Sequence, residues 1–197
     1  MFISKCFAAE LTSSRLREAI EVAASSLVNY SYLDKFGRNW PSWRDLDPAS
    51  HEQGTRTAWC YGAPGVCSAL WLAGSYCSNA NWREIAVDGM KSVQERTLGT
   101  AWAEGPTFCH GTAGVLHIAN LFEVNAGGFV ALQRFLLRTL IEQFEPSSTF
   151  GYRDVGPKEV RFDRAGLLEG VAGILMVLTS LDRPDTEPDW DEPFALR

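Results

Sequence analysis

One pattern recurs three times and limits the architecture more than any other feature. Gly62-Ala63-Pro64-Gly65-Val66, Gly111-Thr112-Ala113-Gly114-Val115 and Gly170-Val171-Ala172-Gly173-Ile174 each place two glycines three positions apart. A β-branched residue follows, then an apolar stretch. Successive copies are separated by 49 and 59 residues. A period of that size marks a repeated supersecondary unit that cannot bury its apolar face alone. The stretches 64–76, 111–122 and 171–181 are apolar nearly all round, as expected of helices buried on most sides. Between them run amphipathic patterns. Trp82, Ile85, Ala86, Met90 and Val93 form one, with Asn81 as its candidate cap; Phe129, Leu132, Leu136, Leu140 and Phe144 form the other. The unit is therefore a buried inner helix followed by an amphipathic outer helix. Paired glycines at the head of each inner helix allow close approach to its neighbours and to a common axis.

The rest of the chain fits around these units. Leu16, Ala19, Ile20, Ala23 and Leu27 fall at helical spacing behind a capping Ser13 or Ser14. A loop rich in Gly, Pro and Asp is expected over 34–54 and a polar loop over 146–164. Three prolines in 183–197 exclude a long helix there. Strand signals are sparse. The expected fold is all-α, a partial α/α toroid of helical hairpins. An outer helix and loop occupy 1–53, three inner-helix repeats 54–182, and a tail 183–197.

Charge and cysteine usage narrow the function classes. With a net charge of -6 and no basic patch, nucleic acid and anionic membrane surfaces are poor partners. The apolar run 174–178 is far too short to cross a bilayer, and residues 1–9 do not read as a secretory signal. Five cysteines (Cys6, Cys60, Cys67, Cys77 and Cys109), an odd number, fit a reducing cytoplasm better than a disulfide framework. Cys67 and Cys77 lie in a helical apolar pattern and read as small buried hydrophobes.

The remaining pair is different. Cys60 and the dipeptide Cys109-His110 stand just before the double-glycine turn in the first and second repeats. Repeats arranged about one axis would bring these three side chains to one mouth. Two thiolates and an imidazole suit Zn2+, and three protein ligands leave a fourth position open for chemistry. The spacing matches no common zinc-finger pattern, and two buried thiols beside a capping histidine would satisfy the spacing equally. His117, inside an apolar helix, reads as a satisfied core histidine, and His51 as a loop residue.

The segments around these residues resemble a known family. Arg56-Thr57-Ala58-Trp59-Cys60-Tyr61-Gly62, Phe108-Cys109-His110-Gly111-Thr112-Ala113-Gly114 and Leu167-Leu168-Glu169-Gly170-Val171-Ala172-Gly173 are similar, in order and spacing, to motifs of the lanthionine synthetase C-like (LanC) cyclases. Trp190-Asp191 is similar to the family's ending, so the resemblance covers the chain from about Gly54 onward, as the C-terminal half of a LanC-like toroid. It implies addition of peptide cysteine thiols to dehydroalanine or dehydrobutyrine, giving thioether rings in a dehydrated lanthipeptide precursor. It implies zinc on Cys60, Cys109 and His110, with the substrate thiol as fourth ligand and therefore deprotonated. Arg56 matches the family's active-site arginine, a fixed charge suited to an enolate oxygen or a substrate carboxylate. The family's further catalytic histidine, in an earlier histidine-glycine repeat, and an acidic residue would fall upstream of Met1. The chain therefore reads equally as a fragment of a longer enzyme, as one half of a split enzyme completed by an N-terminal half or a dehydratase partner, or as a degenerate remnant. A non-catalytic scaffold that binds a peptide or partner is the reading from a different class. A Cys109-His110 hydrolase dyad is the weakest, since adjacent side chains seldom reach the geometry a base needs.

Overall fold

A computed structural model describes residues 14–41, 56–100, 104–156, 160–182 and 190–191. Among them are six helices: α1 (Ser14–Asn29), α2 (Ala63–Tyr76), α3 (Ala80–Gly99), α4 (Thr112–Ala126), α5 (Val130–Glu142) and α6 (Val171–Asp182). Their packing forms two rows. The apolar helices α2, α4 and α6 contact one another in chain order; α1, α3 and α5 form a second row behind them, with α3 lying along α2 and α5 along α4. This is the all-α layered arrangement that the repeats predict. The central inner helix is the most enclosed, with nine buried residues including Val115, Leu116, His117 and Ile118. On α5, Leu132, Leu136 and Leu140 are fully buried, as is Phe129 before it, while Phe144 lies past the helix end and is half exposed. No helix of the described residues is long and apolar enough to cross a membrane.

The double glycines act differently from the sequence expectation. A Cβ on Gly65, Gly114 or Gly173 would lie 2.0, 1.9 or 2.0 Å from the carbonyl oxygen of Trp59, Phe108 or Leu167, six residues upstream in each case. A Cβ on Gly62, Gly111 or Gly170 would meet the carbonyl oxygen of Arg56, Gly105 or Arg164, again six residues upstream. The close approach is thus mainly to the chain's own preceding loop, which folds back over the head of the inner helix. Folding back satisfies amide groups that a helix start leaves without partners. Thr112 N donates to Gly105 O at 2.7 Å and Ala113 N to Pro106 O at 3.2 Å; Val171 N and Ala172 N bond Arg164 O and Ala165 O in the same register. Gly62 also has φ 138°, a conformation that a side chain would strain.

Two short antiparallel hairpins occupy segments that the sequence reads as loops. Overlapping the start of 34–54, β1 (Tyr32–Asp34) pairs with β2 (Gly37–Asn39). Asp34 accepts from Phe36 N across the turn and from Arg96 on α3, while Arg38 reaches Asp88 and the buried Trp40 indole donates to Leu27 O. These side-chain anchors bind the hairpin to α3 and α1, and alternating hydrophobicity could not reveal them. Within 146–164, β3 (Asp154–Val155) pairs with β4 (Arg161–Phe162). The cap of α3 is Asn79, which has extended backbone and accepts from Trp82 N at 3.2 Å; Asn81 is already inside the helix. Cys67 is fully buried, whereas Cys77 is half-buried at the end of α2. Cys6, Ser13 and His51 lie outside the described residues.

Replacing Gly114 by Ala forces the Phe108 carbonyl off the helix head. Overpacking of this kind costs about 3 kcal/mol, which in a chain of this size lowers Tm by ~6–12 °C. Gly166 has nothing within 4 Å of its would-be Cβ. Gly166→Ala should therefore stay within ~0.5 kcal/mol of the parent in thermal melts.

Candidate metal centre

The loops folded over the inner-helix heads are joined side by side. Cys60 N donates to Cys109 O at 3.1 Å, and Cys109 N donates to Leu168 O at 2.8 Å. Each of these residues stands two positions before the first glycine of its repeat, so the bonds link equivalent positions of neighbouring units. Side chains at this position are consequently adjacent. One ligand atom from each of Cys60, Cys109 and His110 lies within 4.8 Å of the others, and all three residues are half-buried. The site rests on aromatic packing. Trp59 and Phe108, which precede the two cysteines, have ring centroids 5.6 Å apart, and Trp190 meets Phe108 at 5.3 Å. Beneath them His117 Nε2 is 2.8 Å from Asp191 Oδ2, with both residues almost wholly buried. His117 is thus the satisfied core histidine that the sequence suggests.

Charge is distributed around the cluster. Burial pushes the Cys109 thiol up to about 12, reinforced by its hydrogen bond and proximity to Cys60 and by the Glu169 carboxylate, with Arg56 opposing. Two thiols in one pocket resist ionising together, and a divalent cation between them inverts that balance. Arg56 lies at the rim, 42% exposed, with Nε and a terminal nitrogen both on Glu104 Oε2 at 2.7 and 2.6 Å. His110 Nε2 is 3.3 Å from Oδ1 of the buried Asp154. In the third repeat Arg164 occupies the register of Arg56 and Glu169 that of His110, and the two form an ion pair. Glu104, Asp154, Arg164 and Glu169 are neighbours that sequence reasoning missed. Only Arg164 and Glu169 could have been found, by extending the repeat register.

The chain matches the family described as "Lanthionine synthetase C-like protein" over residues 1–195. It belongs to that family. Among curated relatives, the nisin biosynthesis protein NisC of Lactococcus lactis subsp. lactis is 27% identical over 141 residues, which is 72% of this chain and 31% of NisC. Among solved structures, a nisin cyclase superposes with a TM-score of 0.70 at 19% identity, over 97% of this chain and 46% of that one. That likeness shows a partial α/α toroid fold. The chain spans less than half the length of these relatives.

Within the family fold, the cluster has a donor set that fits a metal ion. Two sulfurs and one imidazole nitrogen converge from two loops, and only three protein ligands are present among the described residues. Its support is testable apart from any metal. Removing one member of a buried polar pair leaves the other without that partner, at a cost of roughly 1–3 kcal/mol. Asp191→Ala should therefore lower the urea midpoint strongly. Loss of Glu21 from the exposed Arg17–Glu21 pair should change it little.

Proposed function

We propose that this chain carries the zinc and thiol-activating part of a lanthipeptide cyclase, the C-terminal half of the toroid. The observation that carries this reading is the convergence of Cys60, Cys109 and His110 at the heads of two adjacent inner helices. Zinc bound there would take a peptide cysteine as its fourth ligand and deprotonate it, supplying the nucleophile at neutral pH. The remaining chemistry needs groups of the protein. Addition of the thiolate to the β-carbon of a dehydrated residue makes an enolate, whose oxygen needs positive charge and whose carbon needs a proton. Arg56 is the residue proposed for the first task. It stands four residues before Cys60, its charge acts on Cys109, and Glu104 steadies its guanidinium at the rim.

The proton is a task for the other half of the toroid. The family's histidine-glycine repeat is the proposed donor, and a positioned acid contributes ~10²–10⁴-fold. The proposed substrate is a dehydrated precursor peptide, and the proposed partner is an N-terminal half or a dehydratase. The cysteines Cys60, Cys67, Cys77 and Cys109 are all free thiols, in keeping with a cytoplasmic setting.

Metal analysis and ring formation together test this reading. The purified chain should hold one equivalent of zinc, and Cys60→Ala or Cys109→Ala should lose it together with all cyclisation. Arg56→Ala should retain zinc and slow ring formation by ~10²–10³-fold. Cyclisation is followed as loss of free thiol on a dehydrated precursor, with the chain alone and with an N-terminal half supplied. A chain that holds no zinc overturns the proposal. A zinc-loaded pair that closes no ring leaves the family fold as a binding scaffold.

A further inference from the structure

The hairpin β3–β4 packs Val155 against Gly105, at the base of the loop that carries Cys109 and His110. The residue beside Val155 is Asp154, whose side chain is 3% exposed. Three groups face this buried carboxylate. His110 Nε2 lies 3.3 Å from Oδ1, the Thr107 hydroxyl donates to Oδ1 at 3.4 Å, and Arg164 Nε lies 3.8 Å from Oδ2. Arg164, which also pairs with Glu169, balances part of the charge and Thr107 satisfies a lone pair, so the carboxylate has support apart from His110. The imidazole, in contrast, has a use for the carboxylate.

A neutral imidazole has one N–H and one lone pair, and only the nitrogen with the lone pair can bind a metal. A carboxylate within ion-pair distance of Nε2 favours the proton there and leaves Nδ1 to ligate. We propose that Asp154 is the positioning residue of His110: it selects the tautomer with hydrogen on Nε2 and presents the Nδ1 lone pair to the cation held with Cys60 and Cys109. Arg164, 3.8 Å from the other carboxylate oxygen, favours this orientation of Asp154. The inference rests on the metal reading of the cluster and adds to it a residue from outside the repeated motif. Carboxylates that orient ligating histidines in this way are typically worth 10–100-fold in metal affinity.

The test compares zinc affinity, by chelator competition, in the full chain and in Asp154→Asn. Arg164 can only donate, so the amide oxygen turns to it and the amide NH2 turns to His110, favouring the tautomer that cannot ligate through Nδ1. Affinity should fall 10–100-fold. In a His110→Ala background the same substitution should cost no further affinity, because Asp154 acts through that ring. The tautomer is read with no change at Asp154. In the zinc-loaded chain labelled with 15N-histidine, ring-nitrogen NMR should show His110 with N–H at Nε2 and metal at Nδ1. Metal at Nε2 overturns the proposal, as does equal affinity of Asp154→Asn, or an undiminished loss in the His110→Ala background. Failure of the parent chain to hold zinc overturns the metal reading and this inference together. A zinc-binding parent matched by Asp154→Asn overturns the role of Asp154 alone.

Discussion

The site depends on two backbone hydrogen bonds, Cys60 N to Cys109 O and Cys109 N to Leu168 O. Each contributes only about 1 kcal/mol net, but together they set the spacing of three loops. They can form only because each loop lies flat over the head of its own inner helix, and that requires glycine at both places where the loop carbonyls pass. The double glycine, the folded loop, the lateral bonds and the paired thiols form a single causal sequence. A side chain at Gly65 or Gly114 would lift a loop, and a lifted loop would separate Cys60 from Cys109.

The backbone is repeated, but the chemistry is not. At the position of Cys60 and Cys109 the third unit has Leu168, and at the position of His110 it has Glu169. Thiols therefore occupy the junction of the first and second units, and a charged network occupies the junction of the second and third. Below both, Phe108 is wholly buried, and Trp59, His117 and Trp190 lie around it. Among the described residues, the loop with the Cys109-His110 pair is bonded to the loops of both other units.

What was legible in the sequence follows from this division. The glycine pattern identified the inner helices, whose starts at Ala63, Thr112 and Val171 fall within a residue of those read from the pattern. The same pattern identified the positions of Cys60, Cys109 and His110. The role of the glycines was read less well, since periodicity does not say which backbone passes over a helix head. The hairpins were not legible because side-chain anchors such as Asp34–Arg96 and Arg38–Asp88 hold them in place, 62 and 50 residues apart in sequence. Asp154 belongs to no repeat register, and its partners Thr107 and Arg164 come from two different units. Only the folded hairpin brings them together.

A stack of repeats is as stable as the junctions between neighbouring units, and the two junctions here are tied differently. A cation on Cys60, Cys109 and His110 would join the first unit to the second, stabilising the folded chain by RT ln(1 + [L]/Kd), about 2.7 kcal/mol at a hundredfold excess over Kd. The second junction needs no cation. Asp154 faces His110 of the second unit and Arg164 of the third, and Trp190 from the tail bonds Ser180 on α6 while packing on Phe108. With a cation on Nδ1 and Asp154 at Nε2, His110 would belong to both ties, one through each ring nitrogen. Metal binding and the docking of the third unit should therefore be coupled through a single imidazole, even though Leu168 and Glu169 are not among the three clustered donors.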